Sequence, residues 1–237
     1  MKLLRPSSLA ALTITALSVV IMCSLGFWQL ERMAQKQQRL SSITQKQAKG
    51  SLSLIEAFAQ NDPRDLSVNF HGQVDTEHLM FLDNQVYLQQ VGYNVFAPVS
   101  TNLGWLLVNF GWIPAADLTR QIPTLDIANV TLNTFEGVVS LPSNNPLVDN
   151  YIDANAVFPQ VIQQALPEQI APLLNRDLLP YVVVLTQPDH FFVRHYNPVV
   201  MSPEKHLGYA IQWFGLAIAA ALIGGIAIIK KGRTHDA

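Results

Sequence analysis

Two apolar runs constrain this chain more than anything else in it. "LAALTITALSVVIMCSLGFW" extends from Leu9 to Trp28, and "LGYAIQWFGLAIAAALIGGIAII" from Leu207 to Ile229, both without a charged residue. Twenty residues of α-helix span about 30 Å, the thickness of a bilayer's hydrocarbon core. Only 14% of the 237 residues are charged and the mean hydropathy is +0.21, so the composition agrees with two membrane spans. The first run is read as an uncleaved anchor. Lys2 and Arg5 precede it as a signal peptide's basic segment would, but it ends in bulky "GFW" with no A-x-A cleavage site. Cys23 makes a poor lipoprotein site because Met22 stands where a small residue is needed.

Two spans divide the chain into an N-terminus (1–8), a first span (9–28), a middle domain (29–205), a second span (206–229) and a tail (230–237). Lys230, Lys231 and Arg233 end the second span and favour cytoplasmic termini, which puts the middle domain in the periplasm or its organellar equivalent. A net charge of −2 offers no basic face for nucleic acid. A single cysteine excludes an intrachain disulfide and every multi-cysteine metal site.

The middle domain predicts as β-rich and mostly antiparallel, an α+β layer or open barrel with short helices. "QLERMAQKQQRLSSITQKQAKG" continues the first helix to about Gly50. "SLIEAFAQ" predicts a short helix with a capping box from Ser53 to Glu56. "VNFHGQV" alternates like a half-buried strand, which leaves His71 exposed, and His78 is placed on the surface near a turn. "HLMFLDN" and "QVYLQQ" read as two strands joined at Asp83–Asn84. "YNVFAPVS" and "GWLLVNFGWIP" read as a hairpin through "TNLG". "VTLNTFEGVVSLP" is another strand and "SNNPLVDNYIDAN" a loop. "AVFPQVIQQAL" and "PEQIAPLLN" predict short helices, and "PYVVVLTQ" a central strand.

No hydrolase, Walker or dinucleotide motif is present, so a membrane-anchored hydrolase lacks a signature and the chain is not read as an enzyme. Asp149 and Asp153 read as a solvated loop pair. His235 lies in the polar tail. His190 and His195, with Met201 and His206, could form a soft metal site for copper, but no thiolate is at hand and the spacing matches no known pattern. His206 is better defined. Ser202, Pro203 and Glu204 suit N-cap, N1 and the first turn of a helix, which puts His206 about one turn in, at the aqueous boundary. At about 100° per residue, Trp213 falls about 20° from the same face. One stripe therefore carries His206, Ala210, Trp213, Ala217 and Gly224, with Ala217, Ala221 and Gly225 as a small-residue row beside it. Two readings stand. Aromatic belt and small residues pack one span on another, or the stripe receives a flat apolar ligand, with imidazole as an axial nitrogen and indole on the ring.

The blocks in which these residues sit resemble the surfeit locus protein 1 family, assembly factors of haem–copper cytochrome oxidases. "GFWQLERMAQK" is similar to the family's G-x-W-Q-x-x-R through Gly26, Trp28, Gln29 and Arg32. "VNFHGQVDTEHLMFLDNQ", "VGYNVFAPV", "LLVNFGWIP" and "HLGYAIQWFGLA" follow in the family's order. Phe110 departs from it, standing where the family usually has Arg, and "SNNPLVDNYIDANAVFPQ" fits only loosely. The resemblance implies a multi-pass protein of the bacterial inner membrane with a β-rich outer domain, acting at the haem a3–copper centre of cytochrome c oxidase subunit I. It implies haem a, received from haem a synthase, as transient cofactor, with His206 and Trp213 as the binding pair and His206 on the haem iron. The alternative it leaves is a membrane scaffold that steadies an oxidase subunit without haem.

Overall fold

In the computed structural model, residues 6–115, 125, 134–142, 144–148 and 157–233 are described. Asp149, Asp153 and His235 lie outside them. The chain forms two compact units. One comprises the two ends, Met1–Ser42 with Pro198–Ala237, and the other is Ile43–Asn197.

The first unit is a pair of long helices. α1 covers Pro6–Gln47 and α4 covers Pro203–Arg233. Both are long and apolar enough to cross a membrane, and in each only 6% of the most apolar window is buried. Leu12, Leu17, Ile21, Ile211, Ile218, Leu222 and Ile226 point outward. A core helix of a soluble domain would bury such residues, so this is a protein of two membrane spans. At 42 residues α1 runs about 60 Å, twice the hydrocarbon thickness, so its polar half continues the helix as the sequence implied. It stops just before Gly50, whose φ of 80° ends the helical path without a side-chain clash.

The second unit is built on a nine-stranded sheet. Its strands are β1 (Leu52–Ser53), β2 (Ser67–His71), β3 (Gln73–Val74), β4 (Met80–Tyr87), β5 (Gln90–Thr101), β6 (Gly104–Pro114), β7 (Thr134–Ser140), β8 (Gln160–Ile162) and β9 (Leu178–Leu185). The order is β1-β2-β7-β9-β6-β5-β4-β8, with β3 pairing on β5. The two helices are α2 (Leu54–Phe58) and α3 (Pro167–Leu174). Two membrane helices and a β-rich domain with short helices match the sequence expectation. The sheet is mixed rather than simply antiparallel, however, because β1–β2, β4–β8 and β6–β9 run parallel.

Several elements form where expected. The hairpin of β5 and β6 closes through Asn102–Leu103. The capping box is intact, with Ser53 Oγ accepting from Glu56 N and the Glu56 carboxylate accepting from Ser53 N at 2.9 Å. β9 is central, and α3 ends on Asn175 in the left-handed region.

Other expectations are corrected. Asp83–Asn84 is not a turn. β4 runs through it with a bulge between Leu82 and Gln85, and Asn84 takes up the irregularity at φ 57°. The turn lies at Leu88–Gln89, both at positive φ (46° and 67°). Neither residue favours that conformation, so the β4–β5 pairing on either side imposes it. The stretch expected to be a helix from Ala156 is, where described, the edge strand β8, aligned with Met80–Leu82. Its branched Val161 and Ile162 suit a strand, and pairing with β4 holds them in one. His78 is half-buried rather than exposed, and its Nδ1 donates to Asp75 at 2.9 Å. His71 is exposed, with Nδ1 3.0 Å from Thr134 Oγ1.

The main core joins Val68, Phe81, Tyr93, Val108, Phe110 and Phe135 on one face of the sheet, closed at one side by Leu54 and Ala57 of α2. A smaller core on the other face packs Ile170 and Leu174 of α3 on Met80, Phe96 and Leu107. Phe110, at the family's arginine position, is fully buried against Phe135 and Phe192. It is the extra residue of a bulge, since Val95 pairs with Gly111 and Phe96 with Asn109. Gly111 has φ 121°, and a Cβ there would meet Phe192 Cβ at 2.9 Å, so glycine is required.

Candidate functional site

His206, Ala210 and Ala217 are buried, and Trp213 and Gly224 half-buried, while Leu207, Tyr209, Ile211, Leu216 and Ile218 are exposed. The stripe read from the sequence is therefore the face that α4 turns to α1. Three contacts fix the pairing. A Cβ at Gly224 would meet Thr15 Cγ2 at 2.4 Å, a Cβ at Gly26 would meet the Phe214 ring at 2.6 Å, and His206 meets Gln29. Numbers rise along α1 as they fall along α4, so the helices are antiparallel. Spacings of four and three along 206, 210, 213, 217 and 224 are those of a close-packed seam, and Gly224 makes room in it for the Thr15 side chain. The row expected beside it does not share this role. Ala221 is exposed and a Cβ at Gly225 would meet nothing within 4 Å.

At the aqueous end of the seam the helix start is as predicted, with the Ser202 carbonyl accepting from Lys205 N at 3.2 Å and from His206 N at 3.5 Å. His206 Nδ1 donates to Gln29 Oε1 at 2.8 Å. Its Nε2 is buried and, among the described residues, has no hydrogen-bond partner. A lone pair on a buried aromatic nitrogen is what a metal or a strong donor seeks, and leaving it bare is costly. His206 and Trp213 do share one helix face. The further partner, Gln29, was named from sequence only as a residue of the Gly26–Arg32 block, with no role at the site.

The Gly26–Arg32 block now has a physical layout. Gly26 and Gln29, three apart, face α4. Trp28 and Arg32, four apart, lie on another side, with the guanidinium 5.5 Å from the indole centroid.

Among the described residues no group of three or more His, Cys, Asp or Glu is placed to hold a metal ion. His195 packs on Tyr87, ring centroids 4.9 Å apart. The charged groups of the sheet domain serve its own structure. Asp75 accepts from His78 and from Arg176, whose guanidinium lies 4.1 Å over the Trp105 ring. Burial pushes the Asp75 carboxyl up, but the hydrogen bonds from His78 and Arg176 outweigh it and hold the carboxyl below its ordinary value. Arg194 donates to the carbonyls of Phe110 and Gln187 and to Asp189 at 3.2, 2.8 and 2.9 Å. Burial lowers this guanidinium's pKa, and the Asp189 charge partly restores it.

The family model of the SURF1 family matches residues 16–218, from within the first span to just past Ala217 of the stripe. The chain belongs to the SURF1 family. SURF1-like proteins of Rickettsia prowazekii (strain Madrid E) and Rickettsia conorii (strain ATCC VR-613 / Malish 7) are each 26% identical to it, covering 86% and 87% of this chain and 84% and 86% of their own lengths. That of Rickettsia felis (strain ATCC VR-1525 / URRWXCal2) is 23% identical over 89% of this chain and 93% of its own. The SURF1 family comprises cytochrome oxidase assembly factors rather than enzymes.

Proposed function

We propose that this chain is a cytochrome c oxidase assembly factor of the bacterial inner membrane that holds haem a as cargo between haem a synthase and the haem a3–copper centre of subunit I. In this reading the sheet domain lies in the periplasm. His206 would ligate the iron through Nε2 and Trp213 would lie along the ring, below the aqueous edge of the span. The observation that carries it is the His206 imidazole, held at Nδ1 and bare at Nε2. The residues fit the group in donor chemistry, because neutral imidazole with one free nitrogen is an ordinary haem ligand. Nε2 is enclosed as the chain is folded, so loading requires the helix pair to part at this end.

A scaffold without haem has its own support. Ala210, Ala217 and Gly224 lie in the seam with α1, where they leave no slot for a macrocycle. Purification after co-expression with haem a synthase separates the two. The carrier gives a haem a spectrum that is lost in His206→Ala, whereas the scaffold gives a colourless protein that still supports oxidase assembly. A spectrum unchanged in His206→Ala removes His206 as ligand.

A further inference from the structure

We propose that Gln29 is the positioning residue for His206, fixing which ring nitrogen is free. The inference rests on His206 being a ligand for its use, but not for its geometry. Gln29 Oε1 can only accept, so at 2.8 Å the proton must be on Nδ1 and the lone pair on Nε2. The reverse arrangement, with the amide N–H donating to Nδ1, puts the proton on Nε2 and closes it to any metal.

The phase of α1 supports this assignment. Gly26, one turn before Gln29, brings the Phe214 ring against the α1 backbone, and Phe27 meets the same ring edge-on at 5.2 Å between centroids. The two helices are thus locked together one turn from Gln29 on α1 and about two turns from His206 on α4. The imidazole cannot turn away without breaking the Nδ1–Gln29 hydrogen bond in a buried place. Choice of amide matters as well. A carboxylate at position 29 would pull the Nδ1 proton and give the ring anionic character, strengthening it as a donor. A neutral oxygen orients the ring while leaving it a moderate ligand. Moderate ligation suits a group that must be passed on.

The test uses the full-length protein in lipid nanodiscs, labelled with 15N-histidine, with the His206 signals assigned by their loss in His206→Ala. Wild type should show Nδ1 protonated and Nε2 bare, and Gln29→Leu should shift the ring toward the Nε2-protonated form. A wild-type ring protonated on Nε2, or a ring unmoved by Gln29→Leu, overturns the proposal. Titration with haem a is the second readout. Gln29→Leu should weaken binding about 10- to 100-fold, the usual effect of removing a ligand's supporting hydrogen bond. Gln29→Glu should keep the ligand and lower the haem's reduction potential, and it serves if Gln29→Leu fails to fold. If wild type shows the expected tautomer yet takes up no haem a, the carrier function fails and the positioning role stands. If wild type binds through His206 while both Gln29 variants match it in affinity and potential, the positioning role fails and the carrier stands.

Discussion

The sheet domain and the helix pair treat a buried polar group differently. In the sheet domain Asp75 is surrounded by donors from His78, Arg176 and the Glu77 backbone, and the Arg194 side chain, 2% exposed, reaches three acceptors. Each of these groups is held by three partners within its own domain. In the helix pair, His206 is buried with one nitrogen held and the other bare. A polar group that costs stability where it sits, in a seam otherwise closed by alanine and glycine, is better explained by use than by architecture. The contrast sets fully engaged polar groups in one unit against a half-partnered imidazole in the other.

Substitutions can break that division. The largest stability effect belongs to the sheet domain: Phe110→Ala should cost about 3–5 kcal/mol by leaving a cavity beside Phe135 and Phe192. Chemical denaturation followed by tryptophan fluorescence measures it, and the helix pair should keep its His206 resonances. Gly26→Leu tests the opposite case. It drives a side chain into the Phe214 ring, an overpacking worth about 1–3 kcal/mol, and should separate the spans without moving the sheet domain's midpoint. Spin labels on α1 and α4 read the separation. An unchanged distance means that the seam is not set by this contact.

Acid supplies a third test. The folded Asp75 carboxyl titrates below its unfolded counterpart, so its stabilisation is complete above the ordinary carboxylate value near 4 and is lost as pH falls below it toward the folded value. Denaturation midpoints should drop across that window in wild type and drop less in Asp75→Asn. Equal slopes would show the clasp to be indifferent. Smallest of all, Ser53→Ala should cost about 1 kcal/mol by removing the cap of α2. A loss well above this would mean that α2 holds more of the core than Leu54 and Ala57 suggest.

What could be read from the sequence follows from how local each cause is. Spans need only a long run without charge, and both were legible. The Ser53–Glu56 box and the "TNLG" connection are also local. The Leu88–Gln89 turn was illegible because long-range pairing forces two unsuited residues into it, while Asp83–Asn84 advertised a turn that became a bulge. β8 was illegible because a short apolar run carries too little periodicity to separate strand from helix. At the candidate site, helical phase alone put His206 and Trp213 on one face. Gln29 could not be found that way. Phase says which side of α1 it occupies, but the register of α1 against α4 is a property of two helices together, and Thr15, Gly26 and Phe214 set it.

The enclosed Nε2 has a consequence for retention. Any ligand there competes with the closed seam, so its apparent dissociation constant is the intrinsic one divided by the fraction of time the pair stands open. Gly26 and Gly224 set that fraction through how closely the helices approach, although neither touches the imidazole. On the carrier reading, affinity for the cargo is then tuned by two residues without side chains, and a looser seam would bind it more tightly.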